Sequence, residues 1–404
     1  MNAKGEGSFK VNKNGSITHR KTVGYKDNGN RKILTVTAAS RAACIKAMKQ
    51  KEAEWNLYRE RMIVDAMEDT VADLCKAHLE YQIRHGELKP KSIDRRELTI
   101  KHIEEHMVGR MQLQAVEISD VEELVTEILN DGKLSASSVE KIVDVLNAAY
   151  KWGINRGQLF QNPVEPIKKT LDKRVAKLRS KSAEDPDVLV LTSEEQERFV
   201  YEAMRFNIAK DQFVYPAGPY GVFLLYSGLR IGECLALRWR DVDFQNRILT
   251  VNKSRSMAVN RDDPASKRKQ VMIEGTTKNE KARQIRLSDD AINVLRLIYE
   301  KHEKPKADDY VCITSTGRAN TASNVEHGCA TIFRKIGLSE LKGGLHIFRR
   351  TFATNAYRQG KHVKDIAAYI GDLESTTLKY YIAARQKMEV NGTTHQIVSL
   401  EGSD

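Results

Sequence analysis

The spacing of apolar positions changes along this chain, and each change marks a different kind of element. Near the N-terminus, short apolar runs at 9–11, 17–25 and 33–36 alternate with polar residues. The turn signals Asn14-Gly15 and Asp27-Asn28-Gly29-Asn30 separate them. A period of two between such turns predicts a three-stranded antiparallel sheet. Ser40 then stands as the N-cap of a helix running to about Tyr58. From 64 to 168 the period becomes helical. Val71, Leu74, Cys75, His78 and Leu79 form one stripe, and Ile100, Ile103 and Met107 a second. Val139, Ile142, Val143, Leu146 and Trp152 form a third, with Ser138 as its cap. Asn162-Pro163 and Pro166 close this unit, since a residue before proline disfavours helix. His78, His102 and His106 fall on this pattern as structural or surface residues.

From Lys168-Lys169 to Asp187 the chain is charged and loses its period, which reads as a linker. Beyond Leu191 the pattern is mixed. Thr192-Ser193-Glu194-Glu195 opens a helix in capping style. The apolar stretch 220–226 predicts a helix ending at Ser227-Gly228, and Leu235, Leu237 and Trp239 belong to the next one. Strand-like runs follow at 248–251, 270–273 and 283–287, and the rest reads as helix to about Ala384. No internal repeat is visible.

Charge narrows the partners. There are 66 Lys plus Arg against 54 Asp plus Glu, a net +12. Residues 1–53 alone hold 12 basic and 3 acidic residues, a local +9 (12 − 3). Such a balance favours an anionic partner, nucleic acid or membrane surface. No apolar run reaches the roughly 18 residues of a spanning helix, and 1–6 does not open a signal peptide. The membrane reading therefore gives way to nucleic acid, with the small basic sheet as a groove reader. The five cysteines, Cys44, Cys75, Cys234, Cys312 and Cys329, are scattered and never in C-x-x-C spacing. That suits reduced thiols in a cytoplasm and no zinc site.

Candidate chemistry lies in the C-terminal half. His346 and Arg349 are three residues apart, on one face if helical. Arg230 lies between Gly228 and Gly232, in a turn where backbone could approach a phosphate, and Tyr380-Tyr381 follow downstream. Two permanent cations, an imidazole and a phenol can bind a phosphodiester and attack it. The five-coordinate phosphorane so formed carries extra negative charge, which planar guanidinium forks can stabilise. No carboxylate cluster with metal spacing stands out, so neither metal nor cofactor is expected.

In order and spacing these segments resemble the tyrosine recombinases, specifically phage and conjugative-transposon integrases. Ser227-Gly228-Leu229-Arg230-Ile231-Gly232-Glu233 with Leu237-Arg238-Trp239 and Asp241-Val242-Asp243 resembles their first box. Thr277 to Arg283 resembles the hairpin of their catalytic lysine, and His346 to Thr354 their H-x-x-R box. Ile370-Gly371-Asp372 with Ser375 to Tyr381 is similar to the last box.

The resemblance implies Arg230 and Arg349 as clamps on the scissile phosphate and Glu233 as a buttress. His346 would accept the tyrosine's proton or donate to phosphate, and Lys278, with Lys281 as its competitor, would be the general acid. Tyr381, nine residues beyond Asp372 (381 − 372), is the expected nucleophile, and Tyr380 is the alternative. On a helix the two side chains point about 100° apart, so one alone can reach the phosphate.

Two positions depart from the pattern. Asp372 replaces the usual His or Trp, and an ionised carboxylate cannot donate to phosphate. It would hold Arg349 or turn away. Arg350 replaces a frequent His at a position expected to point outward.

The implied fold is multidomain α+β: a sheet-plus-helix arm-type DNA-binding domain at 1–60, a helical core-binding domain at 64–168, a linker at 169–189, and a mixed, mainly helical catalytic domain with a small antiparallel sheet at 190–404. The implied activity is site-specific DNA recombination through a 3′-phosphotyrosine, with double-stranded attachment sites as substrate. A tetramer on DNA, helper factors that bend DNA or set direction, and a bacterial, nucleoid-associated cytoplasmic location follow from the same likeness. A type IB topoisomerase-like enzyme and a non-catalytic regulator derived from an integrase are the competing readings. The tail from Arg385 to Asp404, with Ile397, Val398 and Leu400, is either a packing segment for a neighbouring protomer or an unstructured end.

Overall fold

A computed structural model describes residues 7–13, 15–25, 31–65, 69–171, 190–263, 266–267, 269–276, 282–339 and 344–378. The chain divides into two compact units, Met1–Ala183 and Glu184–Asp404. Lys278, Lys281, Tyr380, Tyr381 and the tail lie outside the described residues, as do Asn14 and the Asp27–Asn30 turn.

The first unit opens with the expected antiparallel sheet, β1 (Ser8–Val11), β2 (Ile17–Tyr25) and β3 (Arg31–Ala38), in the order β1-β2-β3. Helix α1 (Arg41–Asp65) begins where Ser40 predicts, the Ser40 hydroxyl accepting the Ala43 amide at 3.2 Å. It runs beyond the expected end at Tyr58. Cys44 and Met48, one turn apart, bury one stripe of it on the sheet.

The helices α2 (Val71–Arg84), α3 (Pro90–Glu105), α4 (Met107–Arg110), α5 (Ile118–Asp131) and α6 (Ala136–Arg156) surround a core that includes Val71, Leu74, Ile103, Leu146 and Tyr150. Three local expectations change here. Ser135, not Ser138, caps α6, since its hydroxyl accepts the Ser138 amide and leaves Ser138 within the first turn. Met107 leaves the stripe of Ile100 and Ile103: the helix breaks at His106, and Met107 is 74% exposed. Gly109 permits the tight turn that follows, because a Cβ there would sit 2.0 Å from the Ile103 carbonyl oxygen. Pro166 does not end the unit. It lies in the first turn of α7 (164–171), where a missing N–H costs nothing, and Ile167 and Leu171 are buried beyond it.

In the second unit, α8 (Ser193–Ala203) opens with the predicted capping box, Thr192 paired with Glu195. A hairpin of two-residue strands, β4 (Phe206–Asn207) and β5 (Gln212–Phe213), leads to α9 (Gly218–Ser227), which is apolar on all sides. Such a helix has to be buried. It packs against α8, α11 (Asp289–Lys301), α12 (Ala322–Lys335) and α13 (His346–Arg358). Helix α10 (Ile231–Ala236) is short, so Leu237 is its C-cap and Trp239 lies in a separate 3-10 turn rather than in the helix expected there.

Strands β6 (Val242–Asp243), β7 (Ile248–Val251) and β10 (Arg283–Arg286) form an antiparallel sheet in the order β10-β7-β6. A separate hairpin pairs β8 (Lys253–Val259) with β9 (Gln270–Thr276). Strand β8 escapes prediction because Lys-Ser-Arg-Ser opens it and hides its period. The stretch expected to be helical throughout contains a non-helical loop at 303–321 before α12, α13 and α14 (Val363–Ile370).

All five cysteines are buried thiols. No helix among the described residues is long and apolar enough to cross a membrane.

His78 couples the helical core to pH. It is buried against Trp152, ring centroids 5.4 Å apart. Burial, and then the charge of Arg96, lowers its pKa from 6.5 to about 4. Between those values the unfolded chain binds the extra proton. Stability that is present above pH 6.5 is therefore lost as pH falls toward 4, by about 3 kcal/mol at roughly 1.36 kcal/mol per unit. In urea unfolding, wild type should lose that much more stability across this window than His78→Phe, which keeps the ring stack. Equal losses would remove His78 as the cause.

Candidate active site

Arg230 owes its place to two close approaches. Helix α9 ends in Gly228, whose φ of 64° is the left-handed geometry of a helix C-cap. A Cβ there would lie 2.4 Å from Phe352 on α13. At Gly232 a Cβ would meet the Ser254 hydroxyl at 2.5 Å and the Arg255 carbonyl at 2.9 Å, both on β8. These glycines let α13 and β8 pack against the Arg230 segment. Protein packing accounts for them without a phosphate. Arg230 itself is the N-cap of α10.

Arg349 arrives on α13, which begins at His346. Ile347 and Phe348 anchor this helix in the core, and Phe348 packs among Phe199 and Phe333. The Arg349 guanidinium is only 5% exposed at the residue level. Its Nη1 donates to the Gly228 carbonyl at 3.0 Å and the Ile370 carbonyl at 2.8 Å. Its Nη2 donates to Asp372 Oδ2 at 3.0 Å. Burial, and then Arg230 beside it, lowers the guanidinium to about 10, so it stays charged at neutral pH.

Arg230 meets the same oxygen. Its Nη2 is 3.3 Å from Asp372 Oδ2 and donates to the Gly371 carbonyl at 2.7 Å, while its Nη1 donates to Glu233 Oε1 at 3.0 Å. The structure thus brings Arg230, Arg349 and Asp372 together. His346, one turn before Arg349, faces the charges of Arg349, Arg350, Arg230 and Asp372. It keeps an open side to solvent. Partial burial, then the three arginines, holds its imidazole below 6.5, hence neutral at pH 7. Arg350 is half-buried rather than turned fully outward.

Glu233 lies deeper, 1% exposed, and takes bonds from Arg230 and from a residue whose role the sequence did not suggest. Arg283 on β10 donates to both Glu233 oxygens, at 3.1 and 2.8 Å, and through Nε to the Tyr369 carbonyl at 2.9 Å. Burial alone would raise the Glu233 carboxyl, but the bonds and charges of Arg283 and Arg230 outweigh it and hold the group below the usual range. For Asp372 the same contest, burial against Arg349 and Arg230, also ends below the ordinary value. Arg283 ends the 277–283 segment, and in sequence only its place in that box is visible. With His346 neutral, three guanidiniums and two carboxylates leave a net +1 (3 − 2) here. Among the described residues no three His, Cys, Asp or Glu side chains gather as a metal site. A cavity of about 480 Å³ beside Trp239, Phe244 and Tyr299 is lined by none of these catalytic candidates.

Known proteins resemble this chain in sequence and in fold. The sequence pattern of the phage integrase family matches residues 190–388. A tyrosine recombinase XerC-like protein of Caldanaerobacter subterraneus subsp. tengcongensis is 23% identical over 393 residues, covering 94% of this chain and 95% of its own. The integrase of Staphylococcus phage L54a is 24% identical, over 77% of this chain and 88% of its own length. In fold, the chain is similar to the Tn1549 transposon integrase solved with transposon right end DNA, at TM-score 0.60 and 21% identity over 80% of this chain and 99% of that one. It is similar also to a lambda integrase tetramer bound to a Holliday junction, at TM-score 0.52 and 16% identity over 90% and 95%. By the match over 190–388, the domain there belongs to the phage integrase family, and the chain is similar over nearly its full length to a tyrosine recombinase.

Proposed function

We propose that this chain is a site-specific DNA recombinase that cuts and rejoins strands through a 3′-phosphotyrosine, with Arg230 and Arg349 as the clamp on the scissile phosphate. One observation carries the proposal: guanidiniums 119 positions apart in sequence (349 − 230) converge on a single anionic oxygen, Asp372 Oδ2. Two forks that meet on one carboxylate oxygen can meet on one phosphate oxygen, for the same charge and hydrogen-bond reasons. As the phosphorane forms, its added charge strengthens both contacts. Losing one such preorganised donor typically costs about 10²–10³ in rate.

In this reading the Tyr381 hydroxyl attacks phosphorus, forming the phosphotyrosine bond and breaking the P–O5′ bond. Lys278 protonates the departing 5′ oxygen. The phenol proton goes to His346, whose neutral imidazole suits an acceptor. The covalent link conserves the bond energy, so a partner strand's 5′-hydroxyl reverses the step without ATP. The basic β1–β3 sheet with α1 serves as an arm-type DNA reader, and the α2–α7 helices as a core-binding domain. Four protomers assemble on attachment-site DNA and act in pairs, with DNA-bending or directionality factors as helpers. The setting is the nucleoid of a bacterial cytoplasm. Phosphate contacts on this scale make DNA affinity fall steeply with salt.

A nicked duplex from the DNA flanking this chain's own gene traps the covalent intermediate, because the short 5′ product diffuses away. Wild type should yield a protein–DNA band linked at a 3′ phosphate and mapping to Tyr381. Tyr381→Phe should abolish it. A band lost only in Tyr380→Phe would reassign the nucleophile, and no band in any protein would favour the non-catalytic regulator.

The rate of adduct formation should fall on the acid side as His346 takes a proton. The lowered pKa places that limb below pH 6.5 rather than above it. Single-turnover rates from pH 5 to 8 check this, and His346→Asn should be slower and lack the limb.

A further inference from the structure

We propose that Asp372 is a competitor for the scissile phosphate built into the site, one that must swing out before a strand can be cut. The inference rests on the reading of Arg230 and Arg349 as the phosphate clamp. Asp372 Oδ2 lies 3.0 Å from Arg349 Nη2 and 3.3 Å from Arg230 Nη2, the bridging position a phosphate oxygen needs. A carboxylate and a phosphodiester each carry one negative charge and present acceptor oxygens, so they compete for the same donors.

The geometry argues against a mere support role. Both guanidiniums are held without the Asp372 side chain. Arg349 keeps the Gly228 and Ile370 carbonyls, and Arg230 keeps Glu233 and the Gly371 carbonyl. Removing the carboxylate therefore frees a donor on Arg349 and takes an ion-pair partner from Arg230 while leaving both arginines in place. It also raises the net charge among these groups from +1 to +2, which a doubly charged phosphorane favours.

The side chain lies nearer the surface than the arginine it pairs with. Asp372 is 16% exposed at its side chain, against 6% for Arg349. Its backbone is pinned apart from the carboxylate: its amide donates to the Ala367 carbonyl at 2.9 Å, closing the left-handed Gly371 cap of α14. Its other oxygen, Oδ1, accepts the Leu373 amide at 3.1 Å. The carboxyl stays ionised at neutral pH, since burial is outweighed by the two arginines. Exchange with an incoming phosphate, not protonation, is thus the route to an open clamp.

The test uses full-length protein and two readouts. Calorimetric titration with inorganic tungstate, a tetrahedral oxyanion, should show Asp372→Asn binding at least about tenfold tighter than wild type, with the gain lost in Asp372→Asn combined with Arg349→Gln. On the nicked duplex, Asp372→Asn should form the Tyr381-linked adduct at least about tenfold faster. Asp372→Ser repeats both measurements and covers a folding defect in Asn, with melting curves as the check. Equal or weaker tungstate binding, or an equal or slower adduct, in variants that melt like wild type would overturn the proposal and make Asp372 a positioning residue. Absence of any adduct, through Tyr381 or Tyr380, from wild type and variants alike would instead count against the recombinase reading itself.

Discussion

The second unit depends on holding three arginines side by side in a nearly dry place. Arg230, Arg283 and Arg349 repel one another, and desolvation adds to the cost of gathering them. Glu233 and Asp372 offset that cost, each lying between two guanidiniums. Glu233 does so from within the core, where it cannot be exchanged for solvent. Asp372 does so from the rim. The same two kinds of neighbour, one fixed and one replaceable, set how much positive charge is left for a ligand.

Helix ends complete the arrangement. The carbonyls that receive Arg349 and Arg230 belong to the C-terminal ends of α9 and α14, at Gly228, Ile370 and Gly371. Carbonyls at helix C-termini lack intrahelical partners and carry the negative end of the macrodipole. They are therefore suitable acceptors for buried cations. Left-handed glycines at 228 and 371 end both helices where those carbonyls are needed. The capping geometry that stops a helix and the acceptor geometry that fixes a guanidinium are here the same few atoms.

Much of this was legible in the residues. The period change from two to 3.6, the Thr192 box and the 220–226 run reported elements correctly because each signal is local. The box residues Arg230, His346 and Arg349 announced themselves by order and spacing. What stayed hidden was relational. Nothing local says that Arg283 reaches Glu233, fifty positions away, or that two box glycines serve Phe352 and Ser254. Strand β8 was missed for the opposite reason, since its polar opening disguised a pairing supplied entirely by β9. Met107 shows a third limit, a stripe that continues in sequence after the helix carrying it has ended.

The burial of the thiols has a practical side. Cys44 and Cys75 lie in the first compact unit, and Cys234, Cys312 and Cys329 in the second. None reaches solvent in the folded chain, and burial drives Cys75, Cys312 and Cys329 away from ionisation. An alkylating reagent can therefore react only through opening of the surrounding core. The native cysteines form two internal clocks, one per unit, that time local opening with no engineered label.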